Sequence, residues 1–525
     1  MQKTFLSLFI TLLAGLQLGF AQSYVVSGIE KTDKDGMQYE ILGKVGQNYW
    51  VYKKNKSVAT IAQYNAQMQV VKQNDLSFLP ANIRFVEFIN EQNKVRAFYQ
   101  YQIGTTMYAA IATINAEGQL AATPQIIDTA EKIRPGSSAR IFNLLESDDH
   151  TKHIMFSVNT SNPASIKVNI VALNTEYESE GNAVISISSV SKKSSLSDFA
   201  LDNQGNLFCL RNTTEQGAAP AVSLIYMANG GKEVVESPIL NNSLLLDDIR
   251  LKVDNKNNRV LLNSFYATSR KGNVEGLFSF IWDVNTKQSV VSNATRFTDA
   301  TRAMVTKKKR LKDAFDSYYI DQVSPKNDGG FTVIAEAAET FSNRAAFSRW
   351  DYYWGGAFYN PFMFNYWSRP FGFYPWSRFG YSMFGFGWGW GAAWMNPYAG
   401  FGYPSVTYTA NQVALMSFDN KGDLQWTKTI DKTQSDMNVD QFIGYGSFEN
   451  SMGTQFIYYQ RQKGQRAFVI HTLNAAVELI KGNNVAIQEK RLDWMPRSLK
   501  QVGENEVILP YQYNNKIGFA KIQLK

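Results

Sequence analysis

Residues 148–153 form the densest group of side chains that could bind a metal, with two histidines three residues apart beside two aspartates. That spacing suits one face of a helix, but the surrounding sequence is typical of a hairpin, so we interpret the segment as a solvated turn. Residues 33–36 begin like a calcium loop but lack its later ligands, and we interpret them as a turn too. The sequence predicts no metal site and no cofactor.

Nucleophilic catalysis has few candidates in this chain. Its one cysteine, Cys209, lies in an apolar run, and the chain has only three histidines that could act as a base. His471 lies in a predicted strand, where we expect a packed residue. Gly-x-Ser-x-Gly, phosphate-binding and dinucleotide-binding motifs are absent from the sequence. We therefore predict that the protein is not an enzyme and assign no catalytic residues.

Residues 349–408, which we call the aromatic tract, carry the strongest compositional signal. They contain 25 aromatic residues and 10 glycines, and they include seven of the chain's 11 tryptophans. Aromatic side chains bring a large contact area, which is typical of a surface that docks on a protein or stacks on sugar rings. The predicted binding residues are Trp350, Trp354, Tyr359, Trp367, Trp376, Trp388, Trp390, Trp394 and Tyr398.

Three other interpretations of the aromatic tract stay open. It could pack on the face of the domain that carries it or plug the channel of that domain, or it could contact a membrane interface, where tryptophan and tyrosine are favoured. It could also be a disordered, self-associating segment. Its glycine density argues against a membrane-spanning helix, and it shows no ordinary amphipathic pattern.

The rest of the chain consists of short alternating strands separated by turn residues. One element recurs: an apolar strand ends at Asn or Asp, a turn follows, and a new strand begins. Asx and Gly suit such a turn because they tolerate positive φ and bond to the local backbone. The clearest copies are residues 110–119 and 414–423, and looser copies are residues 170–174, 224–231, 281–285 and 469–474.

A second element, a turn followed by a strand rich in β-branched and aromatic residues, precedes the first. Together the two elements give units of four strands, which predict an all-β fold: a β-propeller of about eight four-stranded blades, with seven as the alternative. The units start near residues 37, 82, 139, 196, 248, 317, 441 and 495. The last unit is one strand short, and residues 23–27 would supply its outer strand and close the ring.

Residues 1–21 have the pattern of a signal peptide, with a basic start, an apolar run and small residues before a cut that we expect after Ala21. Residues 22–525 are then a single propeller domain, which the aromatic tract interrupts between the second and third strands of unit six. Loops at that position emerge on the face that carries the connections between blades. Glu336, beside the tract, is the acid to inspect first for a catalytic role.

The net charge of +8 is small for 525 residues. We interpret the densest basic run, residues 307–312, as a solvated loop, with a contact to an anionic partner such as lipopolysaccharide, an acidic glycan or nucleic acid as the alternative. No nucleic-acid-binding motif accompanies the run, so we predict no nucleic-acid partner.

The export signal and the motifs at residues 281–285, 328–336 and 418–426 resemble those of uncharacterised exported β-propeller proteins of Bacteroidetes-type bacteria. The resemblance covers most of the chain outside the tract and implies the fold and export, but no catalytic residues. Because the C-terminus reads as a last blade, we expect a location in the periplasm or at the outer-membrane periphery, with an extracellular location as the alternative.

These observations predict an exported, non-enzymatic binding or scaffold protein of the cell envelope, whose aromatic tract contacts an unidentified envelope protein or a glycan. A peripheral contact with the outer membrane and the oligomeric state are left open. One alternative is a propeller-type polysaccharide hydrolase or lyase, which needs facing carboxylates or a metal in the central channel. The other is a self-associating structural component of the envelope.

Overall fold

The computed structural model describes residues 23–524, apart from the long segment 342–406 and several short segments. The short segments are 33–36, 56–57, 136–139, 163, 189–193, 214–220, 229–230, 240–243, 247–248, 270–271, 307–309, 438–440, 463–464, 483, 490 and 515. All nine predicted binding residues and most of the aromatic tract therefore lie outside the described residues.

The described chain folds into eight antiparallel sheets that follow one another along the sequence, which is an eight-bladed β-propeller. Two N-terminal strands, β1 (Ser23–Val26) and β2 (Glu30–Lys31), precede the first blade. Blades one to four contain β3 (Gln38–Val45), β4 (Asn48–Asn55), β5 (Val58–Tyr64), β6 (Val70–Asp75), β7 (Ile83–Asn90), β8 (Val95–Ile103), β9 (Thr106–Ile114), β10 (Gln125–Ala130), β11 (Phe142–Glu146), β12 (His153–Asn159), β13 (Ser165–Leu173), β14 (Ser179–Ser188), β15 (Ser194–Leu201), β16 (Leu207–Thr213), β17 (Ala221–Met227) and β18 (Val234–Pro238).

The second half of the ring follows the same plan, with a few extra short strands. Blades five to eight contain β19 (Leu245–Leu246), β20 (Arg250–Asp254), β21 (Arg259–Ala267), β22 (Gly276–Asp283), β23 (Gln288–Arg296), β24 (Tyr318–Pro325), β25 (Phe331–Phe341), β26 (Thr407–Phe418), β27 (Leu424–Asp431), β28 (Ser435–Met437), β29 (Gly446–Asn450), β30 (Gly453–Gln462), β31 (Gln465–Leu473), β32 (Leu479–Lys481), β33 (Val485–Ala486), β34 (Asp493–Trp494), β35 (Lys500–Gly503), β36 (Glu506–Tyr513) and β37 (Lys516–Gln523). The described helices are α1 (Asp299–Val305) and two 3₁₀ turns, Leu311–Asp313 and Pro496–Ser498.

The sequence-based prediction of eight four-stranded units is confirmed. The strand that opens each blade begins within about five residues of its predicted start. The predicted closure is also confirmed, because β1 pairs antiparallel with β37 and becomes the outer strand of blade eight. Both ends of the described chain are thus held in one sheet.

The core lies between neighbouring blades, where the alternating apolar side chains of facing sheets meet. Three tryptophans, Trp50, Trp282 and Trp494, are fully buried in three such layers. The innermost strands contact one another around the ring, as β3 does with β7 and β35, so they line the central channel. No helix of the described residues is long and apolar enough to cross a membrane.

The recurring Asx turn has a simple physical basis. In three of the predicted copies, Asn115, Asn174 and Asp419 each accept hydrogen bonds at Oδ1 from the backbone N–H groups two and four residues later, at 2.9–3.2 Å. One side chain thereby satisfies two backbone donors and fixes the turn between the third and fourth strands. The repeat seen in the sequence is therefore a repeat of turn chemistry.

Candidate functional site

The strands on either side of the aromatic tract extend beyond the rest of blade six. β25 and β26 stay paired through Phe341 and Thr407, four residues past the point where β24 ends its pairing at Ala337. On the other side of this extension, β28 pairs with residues 407–409 of β26. The three strands form a ribbon on the inter-blade face, and the interruption at residues 342–406 lies between the second and third strands of blade six, while residues 407 and 408 of the tract belong to β26.

At the foot of this ribbon, Glu336 is buried with 2% of its surface exposed. Its two carboxylate oxygens accept hydrogen bonds from Lys432 Nζ and Arg497 Nη2, and Lys432 is itself buried. Burial alone would raise the pKa of Glu336, but Arg497 and Lys432 outweigh it and hold the pKa below its ordinary value. Glu336 is therefore an ionised anchor between two cations, a poor arrangement for an acid that must exchange protons.

Arg497 can reach Glu336 because the residue beside its guanidinium, Gly444, has no side chain. Gly444, with φ of +94°, lies against the guanidinium, and a Cβ at that position would be 1.9 Å from Arg497 Nε. Any other residue would both strain the backbone and displace the arginine. Arg497 belongs to blade eight and Glu336 to blade six, so this contact ties the closing blade to the strand that leads into the aromatic tract.

Asp321 lies beside this anchor, at a bulge in β24 between Ile320 and Gln322. Tyr445 donates its hydroxyl to Asp321 Oδ2 at 3.0 Å. Burial, followed by the charge of Glu336, raises the pKa of Asp321 to about 7, although Arg497, Tyr445 and Arg250 act in the opposite direction. The inter-blade end of the channel thus holds one ionised carboxylate and one carboxyl that titrates near neutrality.

Asp321→Asn should change how stability depends on pH. A carboxyl with a raised pKa takes up a proton on folding, so it destabilises the protein progressively as pH rises from about 4 to about 7. The amide cannot ionise, and its oxygen can still accept the Tyr445 hydroxyl. Relative to wild type, the variant should gain up to about 4 kcal/mol between pH 4 and pH 8, at about 1.4 kcal/mol per pKa unit.

Urea unfolding of both proteins from pH 4 to pH 8 measures this difference, and exposed Asp75→Asn on β6 is the control. A difference between Asp321→Asn and wild type that is constant across this range would contradict the assignment.

A second pair of carboxyls, Glu40 and Glu87, lies near the channel on the first strands of blades one and two. Burial raises the pKa of Glu87 to about 7, although Arg140 donates to its Oε2 at 3.0 Å. Burial also raises the pKa of Glu40 well above its ordinary value, with Lys500 opposing and Glu87 adding to the effect. Sequence reasoning missed this pair, although an acid inside an apolar alternating strand was the available signal.

Residues 148–150 of the group at 148–153 form an exposed turn, as predicted, but His153 does not belong to it. His150 adopts positive φ, and Asp149 Oδ1 accepts the Thr151 N–H at 3.1 Å. The other histidine, His153, is buried in β12, and burial lowers its pKa to about 4. Within the ranges that the structure describes, no three His, Cys, Asp or Glu side chains are placed to bind a metal ion.

The remaining nucleophile and base candidates are packed residues. Cys209 is fully buried in the layer between blades three and four, and burial raises the pKa of its thiol. His471 stacks on Tyr458 with ring centres 5.9 Å apart, and burial lowers its pKa to about 4. Residues 33–36 and 307–309 lie outside the described residues.

Comparison with known proteins gives the fold alone. No protein-family model matches the chain, and no curated protein matches it in sequence. Among solved structures, it is similar to the WD40 domain of SCAP from fission yeast, at 8% identity and a TM-score of 0.37 over 96% of this chain and 97% of that one. It is also similar to the polysaccharide lyase Uly1, at 6% identity and a TM-score of 0.39 over 83% and 89% of the two chains.

A structure from a study of two prolyl endopeptidases is similar as well, at 8% identity and a TM-score of 0.40, over 91% of this chain and 55% of that one. These structures share the propeller architecture and differ in what they do. The class that the fold defines is the β-propeller, and the function has to be argued from the side chains of this chain.

Proposed function

We propose that the protein is an exported binding protein of the cell envelope, and that its aromatic tract contacts an envelope protein or a glycan. One observation carries the proposal: the sheet of blade six is extended into a three-stranded ribbon on the inter-blade face, which the chain leaves after Phe341 and rejoins at Thr407. A chain that only needed to connect two strands would not require a separate β-ribbon and some 60 residues rich in tryptophan and tyrosine.

The charge arrangement at the foot of the ribbon supports binding over catalysis at this place. Glu336, on the strand that leads into the tract, is paired with two cations and is stabilised in its ionised form. Such a group serves as a structural anchor, because its proton affinity is far from the value that acid–base catalysis at neutral pH requires. The interaction surface is then the tract itself, held on a rigid base.

Export fits the position of β1. The cut expected after Ala21 leaves Gln22 as the first residue, and β1 begins at Ser23. A chain shortened at this place keeps the strand that completes blade eight. We propose a location in the periplasm or at the outer-membrane periphery, with secretion to the exterior as the alternative.

The experiment is a pull-down from envelope extract with a variant in which a short Gly-Ser linker replaces residues 343–405. Phe341 and Thr407 are directly paired, so a hairpin-length linker joins them without disturbing the blade. The matched control replaces residues 214–220, the corresponding loop of blade four, between the paired Thr213 and Ala221. We expect both variants to fold and only the tract variant to lose a specific partner. Retention of every partner by a folded tract variant would overturn the proposal.

A polysaccharide hydrolase or lyase is the second candidate, and the titratable carboxyls near the channel favour it. Glu87 and Asp321 both have pKa values raised to about 7, which is the range of a general acid or base at neutral pH. This candidate requires that the protein cleaves a polysaccharide and that Glu87→Gln or Asp321→Asn abolishes the cleavage. The tract replacement should then weaken substrate binding and leave the cleavage step itself unchanged.

A further inference from the structure

A cavity of about 470 Å³ opens on the inter-blade face, between blade five and the connection that leads from it to blade six. Its size falls within the range of small-molecule sites, about 300–1,000 Å³. It lies where the connection from β23 to β24, which includes α1, passes the start of β22. The lining residues are Glu275, Arg296, Phe297, Thr298, Asp299, Arg302 and Lys312.

The frame of this cavity is fixed by Arg302, which is 5% exposed. Its guanidinium donates only to backbone carbonyls, so it joins three separate segments of the chain. The acceptors are the carbonyl oxygens of Phe297, Leu311, Lys312, Val274 and Glu275, at 2.9–3.4 Å. Because all five N–H donors of an arginine are used in this way, the walls of the cavity are held in place before any ligand arrives.

The charges around the cavity leave an excess of positive charge. The nearest carboxylate to Arg302 is that of Glu275, with Oε2 at 3.7 Å from Nη2, and the same oxygen lies 3.3 Å from Arg296 Nη2. Arg296 has 77% of its side chain exposed, and Lys312 is exposed as well. With Asp299 the lining holds three cations and two carboxylates. Such a lining can pair with one acidic group while its carboxylates accept hydrogen bonds from hydroxyl groups.

We propose that this cavity is a binding subsite for one acidic sugar unit, a hexuronate or a sulfated hexose, of a glycan that the inter-blade face engages. A sugar acid combines the two features that the lining matches, a single negative charge and several hydroxyl donors. This inference rests on the alternative of the proposed function in which the partner is a glycan, and it specifies the chemical class of that glycan.

The test is isothermal titration calorimetry with three probes: tetragalacturonate, a sulfated tetrasaccharide and neutral maltotetraose. The variant Arg296→Ser/Lys312→Ser removes the two exposed cations and leaves Arg302 in place. Lys152→Ser/Lys167→Ser removes the same charge from exposed positions in blade three. We expect at least about tenfold tighter binding of one acidic probe than of maltotetraose. The cavity variant should lose that gain, and the blade-three control should keep it.

Equal binding of acidic and neutral probes, equal affinity in the cavity variant and wild type, or no binding of either acidic probe would each overturn the subsite. The variant with residues 343–405 replaced separates this inference from the function of the tract. If it still binds the acidic probe and the cavity variant does not, the subsite stands even where the tract's envelope partner is a protein. The preferred acidic probe identifies the group as a carboxylate or a sulfate.

Discussion

Glu336→Gln is expected to lower the free energy of unfolding by about 3–5 kcal/mol, the range for removing one partner from a buried ion pair. The change keeps the shape of the side chain and removes its charge, so Lys432 and Arg497 would face each other across a neutral amide in a buried place. Lys432 has no exposed side-chain surface with which to escape into water. Urea unfolding followed by tryptophan fluorescence measures the loss.

Two further variants separate the lost charge from a general sensitivity of the protein. Exposed Glu117→Gln, in the turn after β9, removes a carboxylate from the surface and should change stability by less than about 0.5 kcal/mol. The triple variant Glu336→Leu/Lys432→Met/Arg497→Met removes all three charges and should recover most of the loss, because apolar groups need no partners. A Glu336→Gln protein as stable as wild type, or a triple variant no better than the single one, would show that the anchor does not stabilise the ring.

The sequence indicated Glu336 but not its partners, because the partners lie far from it along the chain. An acid within the apolar strand β25 stands out in any reading of the sequence. Lys432 and Arg497 are 96 and 161 residues further along the chain, and nothing in their local sequence marks them as its partners. They meet only because the ring brings blades six and eight to one channel. Asp321, Glu40 and Glu87 were missed for a different reason: each is an acid within a strand, as Glu336 is, but none of them lies on a strand next to the aromatic tract's ends in the sequence.

The fold was easier to predict from the sequence, because the turn residues that define each blade lie close together along the chain. Turn residues such as Asn115 and Asp419 perform the same task in several blades, and each such turn can be seen within about ten residues of sequence. Copies that depart from the pattern were harder to place. In blade four Ala228 stands at the turn position, and the backbone there depends on Gly231 at φ of +75°. The count of eight blades followed from the spacing of these turns and from the missing strand of the last unit.

Removing β1 is the second change with a large expected effect. A chain that starts at Gly28 should lose about 4–6 kcal/mol of stability, because β1 and Ser27 contribute both packing and hydrogen bonds to blade eight. Tyr24 meets Trp494 edge to face at 6.1 Å, and Val26 packs on the same cluster. The Ser27 N–H donates to the Phe519 carbonyl at 2.8 Å, and the Ser27 carbonyl accepts from the Tyr511 hydroxyl at 2.6 Å.

The shortened chain should also self-associate. Without β1, the backbone of residues 520–523 in β37 becomes an unpaired edge, which is a template for pairing with another chain, while β2 still pairs with residues 516–517. Size-exclusion chromatography should therefore show larger species than the complete protein forms under the same conditions. A control chain that starts at Gln22 and carries Gln22→Ala keeps every strand and should behave as wild type.

A peptide of residues 22–27 added in trans should reverse the effect. The peptide should bind the folded shortened chain and not its unfolded state. The midpoint of urea unfolding should therefore rise in proportion to the logarithm of the peptide concentration. A peptide of the same composition in scrambled order should not, because Tyr24 and Val26 must face the Trp494 side of the sheet for the strand to fit. If the shortened chain is as stable as the complete one and elutes at the same volume, the pairing of β1 does not stabilise blade eight. If the native peptide alone restores both properties, ring closure by the N-terminal strand is what holds the eight blades together.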